Sequence, residues 1–211
     1  MFETFFHKKR TDLITTPKTL DGYKTAILVT DGFEASELTE PKKALEDAGS
    51  EVHIISLYQG KIRSLDQTGW GKGIKVDETV HTADPRDYDY LMLPGGVMNP
   101  DKLRQDPHAV AFVQSFIDRK RPIAAICHGI QTLLETNFLE GRTLTSYPSL
   151  KTDITNAGGI WIDKEVVSDH RLVTSRKPAD LKAFNNVMIE EFSHHVAHEA
   201  IPNTESYVVT L

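Results

Sequence analysis

Short apolar runs alternate with longer amphipathic stretches along most of this chain. Residues 24–30 (KTAILVT) form an apolar run that stops at Asp31-Gly32, the pattern of a buried strand ended by a turn. Residues 34–48 place Leu38, Ala44, Leu45 and Ala48 at helical spacing, with Gly49 as the stop. Glu37 and Glu40 read as solvated positions of that helix. Residues 51–56 (EVHIIS) predict the next strand. Residues 58–80 carry Gly60, Gly69, Gly71 and Gly73 and predict a hairpin-like excursion with a short strand near Ile74–Val76. Residues 90–93 (YLML) predict a buried strand running into Pro94-Gly95-Gly96.

The alternation continues with a helix over 107–120, whose proline sits in the first turn, where its missing N–H costs nothing. A strand over 122–126 ends at Cys127-His128-Gly129, and a helix is expected through Leu133 and Leu134. Residues 142–146 and 161–167 predict further strands, 171–174 a hairpin return, and 178–192 a closing helix. Strands alternating with helices of this length predict an α/β domain with a mostly parallel sheet covered on both faces. Residues 1–22, with Phe2, Phe5 and Phe6, show no clean period and read as an N-terminal extension. Residues 193–211 read as a polar C-terminal tail, leaving 23–192 as the domain.

At 211 residues the chain can bury a core without disulfides or metal staples. Its single cysteine excludes an intrachain disulfide and a cysteine-rich zinc site. The formal net charge of −6, with Lys8-Lys9-Arg10 as the basic cluster, argues against nucleic-acid binding. No apolar run approaches the roughly 20 residues that span a bilayer, and the first residues lack the pattern of a secretory signal. A cytoplasmic protein is expected. His194, His195 and His198 lack the spacing of a zincin site and read as tail residues, so no metal and no cofactor is expected.

Candidate chemistry gathers at strand ends, where open α/β sheets bind their ligands. Three loops stand out there: Thr30–Glu34, Leu93–Gly96 and Ile126–Ile130. Cys127 lies between a strand and an expected helix, the context in which a nucleophile is presented on a sharp turn. A helix N-terminus should lower its thiol pKa. Gly129 permits a close backbone approach. The N–H groups of Gly95 and Gly96, with that of His128 or Gly129, could surround an oxyanion.

The string Ala124-Ala125-Ile126-Cys127-His128-Gly129 resembles the nucleophile elbow of the PfpI/ThiJ family of intracellular cysteine proteases and stress proteins. Leu93-Pro94-Gly95-Gly96 ahead of it is similar to the same family, as are residues 141–148 (GRTLTSYP), Asn156-Ala157-Gly158 and residues 174–178 (TSRKP). Order and spacing fit from about Tyr23 to Phe192. The resemblance implies a flavodoxin-like three-layer sandwich, related to the amidotransferase domain of class I glutamine amidotransferases. It also implies a glutamate after the first strand contacting the cysteine sulfur, which points to Glu34. A protonated Glu34 would then donate to a Cys127 thiolate. Tyr147 would border the pocket. His128 would pair with an acid of a neighbouring subunit, for which Asp101 is the nearest candidate. Asp101 stands where the archetypal protease has a glutamate, and it reads equally as a helix N-cap.

The expected function is a cofactor-independent, cysteine-dependent hydrolase of peptides or amides, working as a homodimer or higher homo-oligomer. The alternative is a glyoxalase or deglycase acting on methylglyoxal or glycated groups. A second alternative is a non-enzymatic, redox-sensing stress chaperone.

Overall fold

The computed structural model describes residues 19–199, with side chains as far as His195. The expectations for Phe2, Phe5 and Phe6 and for residues 200–211 lie outside the described residues, as does the His198 side chain. A seven-stranded sheet has the order β10-β11-β7-β6-β1-β2-β5. Its strands are β1 (Lys24–Leu28), β2 (Glu51–Ser56), β5 (Glu78–Thr79), β6 (Tyr90–Leu93), β7 (Ile123–Ile126), β10 (Val166–Asp169) and β11 (Leu172–Ser175). All neighbours pair in parallel except β10, which runs antiparallel to β11.

Successive residues of a strand face opposite sides of a sheet, and both sides are covered here. Ala26 and Leu28 of β1, Leu91 and Leu93 of β6, and Ala125 of β7 pack with Leu103, Phe112 and Phe116. Those last residues come from α2 (Met98–Gln105) and α3 (Pro107–Asp118). Ile27, Met92, Ala124 and Ile126 pack on the other side with Leu38, Leu45, Phe184 and Phe192. That side is built by α1 (Ala35–Asp47) and α5 (Leu181–Glu199). The Tyr90 ring stacks on Phe192 at 4.3 Å, and its hydroxyl donates to the Phe192 carbonyl. The result is the expected three-layer sandwich.

The excursion over residues 58–80 holds the expected hairpin, β3 (Lys61–Asp66) antiparallel to β4 (Gly69–Lys75) outside the main sheet, and its end supplies β5 to that sheet; the short strand expected near Ile74–Val76 is the end of β4. Elsewhere the sequence pattern and the structure part. The expected strand over 161–167 divides. Its start, β9 (Ile160–Trp161), pairs in parallel with β8 (Thr143–Leu144), while its end enters β10. Two helices do not show in the pattern, α2 and the short α4 (Lys151–Asn156). In α2, Pro100 sits in the first turn, where a missing N–H is harmless, but Leu103 is the one buried aliphatic side chain among its eight residues. After β7 the chain forms a tight 3₁₀ run over Cys127–Glu135 in place of the expected helix. The closing helix does not stop at Phe192 but continues to Glu199, so His194 and His195 are helical positions and not tail residues.

Strand order reverses between β1 and β6, because β2 lies to one side of β1 while β6 and β7 lie to the other. A crevice opens at the carboxyl ends of strands at such a reversal. The loops after β1, β6 and β7 converge there.

Candidate active site

Cys127 is the first residue after β7 and has φ of 61°. Left-handed backbone costs a residue with a Cβ roughly 1–2 kcal/mol, so the surrounding packing must hold it. Gly129 shows how. A Cβ at that position would run into the carbonyl oxygens of Leu93 and Pro94, so the turn after β7 lies directly against the end of β6. The Tyr147 N–H donates to the Cys127 carbonyl at 3.2 Å and fixes the turn from the far side. The elbow expected for Cys127 is present, and the residue is only 6% exposed.

Glu34 is not the carboxyl against this sulfur. It caps the N-terminus of α1, where its side chain accepts from the Ser36 hydroxyl at 3.0 Å. The expected contact belongs to Glu37, one turn on. Glu37 is fully buried, contrary to the expectation of a solvated position. Its Oε2 accepts the Gly95 N–H at 3.0 Å, and its carboxyl lies in hydrogen-bonding reach of Cys127. Burial raises the Glu37 pKa to about 7 against the pull of Cys127, with Glu34 pushing further upward. A signal for Glu37 existed in the sequence. Glu37, Pro41 and Leu45 recur every four residues on the buried stripe of α1 that also holds Leu38. A carboxylate on such a stripe is rare without a partner or a task.

The thiol is perturbed in the direction opposite to that expected. Burial pushes it up, and the Glu37 charge adds to this, while the N–H groups of His128 and Gly96 pull the other way. Two buried acids this close do not ionise together. The pair therefore keeps one of its two protons above neutral pH, and the two N–H groups on the sulfur offset part of what burial and Glu37 cost the thiolate.

The oxyanion expectation also changes. The Gly95 N–H is committed to Glu37, and Gly129 serves packing. The donors facing the sulfur are Gly96 and His128. Gly95 has no room for a side chain, since a Cβ there would meet Glu37, Cys127 and the His128 nitrogen.

His128 and Tyr147 stand at the rim. The His128 Nδ1 is 3.3 Å from the Cys127 sulfur and its Nε2 is 3.3 Å from the Ser149 hydroxyl. Its ring stacks on Tyr147 at 4.7 Å. Desolvation lowers the His128 pKa, so the ring is neutral at pH 7. Asp101 is exposed in the first turn of α2, where Gln105 Nε2 donates to its carboxyl at 3.1 Å. It is not the N-cap, which is Val97. With Gly32, Val97, Met98 and Gln131 it lines a cleft of about 630 Å³ beside the Gly96 turn.

Sequence reasoning missed Asn99 altogether. It is fully buried; its Oδ1 accepts the Thr30 N–H at 2.7 Å, and its Nδ2 donates to the carbonyls of Pro94 (2.9 Å) and Gly95 (3.1 Å). One side chain thus ties the loop after β1 to the loop that aims Gly96. Asn99→Ala leaves buried groups on both loops unpaired and should cost about 2–4 kcal/mol of stability. A shift in the denaturant midpoint that stays within error would contradict this.

Among the described residues, no group of three or more His, Cys, Asp or Glu side chains could hold a metal ion. No described helix is long and apolar enough to cross a membrane.

A left-handed cysteine at the end of a buried strand, with a buried glutamate against its sulfur, defines an elbow-type α/β protein. The chain belongs to the DJ-1/PfpI family, whose model matches residues 23–191. It is 45% identical over 163 residues to "Putative cysteine protease YraA" of Bacillus subtilis, covering 77% of this chain and 94% of that one. It is 41% identical over 163 residues to "Protein/nucleic acid deglycase 2" of Escherichia coli, covering 77% of this chain and 93% of that one. Among solved structures it is similar to a two-domain protein of Anabaena variabilis with DJ-1/ThiJ/PfpI-like and ferritin-like domains. The TM-score is 0.76 at 32% identity, over 89% of this chain and 52% of that one. The names of these relatives support an enzyme and leave its reaction open.

Proposed function

We propose that this protein is a cysteine-dependent enzyme acting on reactive carbonyls, with a small dicarbonyl such as methylglyoxal as its substrate class. The observation that carries the reading is the Cys127–Glu37 pair: a thiol on a strained elbow, and beside it a buried carboxyl with a pKa of about 7. A proton carrier works best when its pKa lies near the working pH.

The sulfur of Cys127 adds to the aldehyde carbon, and the C=O pair becomes an alkoxide held by the Gly96 and His128 N–H groups. Glu37 supplies the proton, giving a hemithioacetal and a Glu37 carboxylate. That carboxylate then removes the proton on the carbon bearing sulfur, the electron pair moves into the carbon–carbon bond, and Glu37 places the proton on the ketone oxygen, giving an enediol. Glu37 next takes the proton of the hydroxyl on the carbon bearing sulfur and delivers it to the neighbouring carbon, which leaves a thioester. Water attacks the thioester, the C–S bond breaks, and a hydroxy acid leaves. The net reaction adds one water, with no redox partner. Every proton step uses one carboxyl within the same chain.

Hydrolysis of a peptide or amide is the second reading, favoured by the 3.3 Å approach of His128 Nδ1 to the sulfur. That ring can protonate a leaving amine. In this reading Asp101 of a second copy would orient His128, and Val97, 66% exposed beside it, would be covered at the contact.

Purified protein assayed on methylglyoxal and on peptides separates the two. The first reading expects hydroxy-acid formation that is indifferent to Asp101→Asn and to dilution. Peptide turnover that falls with either change, without dicarbonyl turnover, would displace it.

A further inference from the structure

Four non-glycine residues among those described have positive φ, and three of them lie together at the end of the sheet opposite Cys127. They are Lys120 (56°), His170 (49°) and Arg171 (70°). Lys120 follows the last turn of α3, beyond the Arg119 cap, where glycine is the common choice. His170 and Arg171 are the two central residues of the β10–β11 hairpin, since Asp169 pairs with Leu172. Positive φ at both makes a turn that favours Asn-Gly. The chain thus places basic side chains at three positions where the backbone prefers a residue with little or no side chain.

These side chains share one recess. Lys120, Arg121, Arg142, His170 and Arg171 line it over an apolar floor of Ile117 and Phe138, and no carboxylate is among its walls. It opens into a cleft of about 520 Å³, where Glu140 and Asp169 join. Asp169 is already engaged by the Thr143 N–H at 2.7 Å and by the His170 ring. Arg142 is fixed in place. Its Nε donates to the Phe138 carbonyl at 2.8 Å, its Nη1 to the carbonyls of Asp169 (3.0 Å) and His170 (3.1 Å), and its plane lies 3.9 Å from the Phe138 ring centre. Burial depresses the Arg142 pKa; the Asp169 charge opposes this, and the neighbouring Arg171 charge adds to it. Among the described residues, neither Lys120 nor Arg171 has an ion-pair partner. An anion in the recess would relieve this crowding of like charge in a chain whose net charge is −6.

We infer that this recess is an anion site for the phosphoryl group of a small phosphorylated molecule, held by Lys120, Arg142 and Arg171. Guanidinium groups match phosphate oxygens in a planar fork, and a lysine adds a point charge. The site is separate from the catalytic elbow. Arg121 and Cys127 lie at opposite ends of β7, roughly 20 Å apart at about 3.3 Å per residue, so one small molecule cannot touch both.

The test is calorimetric titration of the full chain with inorganic phosphate, glycerol phosphate and a single-stranded oligonucleotide, each at matched ionic strength. Saturable one-to-one binding of glycerol phosphate is expected, with inorganic phosphate weaker or equal. Arg171→Gly and Lys120→Gly should each weaken it by about tenfold or more. Both should leave Tm unchanged or raised, because glycine relieves the left-handed backbone. Arg171→Asn, which also tolerates that conformation, should repeat the loss. Unaltered affinity in these variants would overturn the inference. So would the absence of saturable binding by both phosphates, or binding of the oligonucleotide alone. Dicarbonyl turnover is read separately, so failure here leaves the elbow chemistry standing.

Discussion

Cys127→Ala should abolish turnover of methylglyoxal, by at least about 10³-fold, because no other thiol exists in the chain and nucleophile loss removes the covalent route. The fold should survive. Alanine fills less of the pocket but removes a sulfur whose ionised form is opposed by burial and by Glu37. Unchanged circular dichroism with lost hydroxy-acid production is the expected pair of results. Turnover retained in the variant would refute nucleophilic catalysis. Loss of turnover with undiminished suppression of aggregation would mean that a chaperone activity also exists and does not need the thiol.

Glu37→Gln should lower turnover by about 10²–10⁴-fold, the range for removing a positioned proton carrier. The amide can still accept the Gly95 N–H and donate toward the sulfur, so the geometry is kept while the proton is lost. Stability should move the other way at alkaline pH. The folded-state pKa of Glu37 is raised from 4.5 to about 7. Below pH 4.5 the carboxyl is protonated in both folded and unfolded chains and costs nothing. Between pH 4.5 and about 7 the unfolded chain has already released the proton while the folded one still holds it, and above about 7 the folded chain must ionise a buried group. About 3 kcal/mol of stability is lost over that window. The glutamine variant lacks this loss, so at pH 8 it should be the more stable protein, and at pH 5 the two should be close. Denaturant titration at both values checks the sign. Parallel pH dependence in the two proteins would contradict the buried, perturbed carboxyl. Glu34→Gln should change both quantities far less, since that side chain caps α1 and acts on Glu37 only through its charge.

Much of the fold and part of the site are legible in the chain, for reasons that can be located. β1, β2, β6 and β7 are short apolar runs closed by glycine or proline, so their burial and their ends are visible in the residues themselves, and the same pattern sets Cys127 on an elbow. What escapes depends on contacts between segments distant in sequence. Glu37 and Glu34 are three residues apart at the same helix start, and only the docking of α1 on the sheet decides which carboxyl reaches the sulfur. The buried stripe of α1 points to Glu37, while the position directly after the first strand favours its neighbour. The α2 segment is largely polar, and its order comes from Asn99 bridging two loops, a long-range hydrogen-bond pattern that local periodicity does not encode. The direction of the thiol shift is hidden for a related reason. A strand end and a following helix suggest a dipole that lowers the pKa, whereas the nearest charge is a buried carboxylate. Gly95 illustrates the same point. Its turn is plain from Pro94-Gly95-Gly96, but its N–H is taken by Glu37 and not left for substrate.

The most direct measurement of the Cys127–Glu37 account is the rate of iodoacetamide alkylation of Cys127 against pH, in the wild-type protein and in Glu37→Gln. The pair releases the first of its two protons near pH 7 and then shares the one that remains, and reactivity follows that step in place of the free-thiol value of about 8.5. The account predicts an inflection close to pH 7 in the wild type that is absent from the glutamine variant. A single inflection at or above the free-thiol value, the same in both proteins, would show that the two groups do not share a proton and would contradict it.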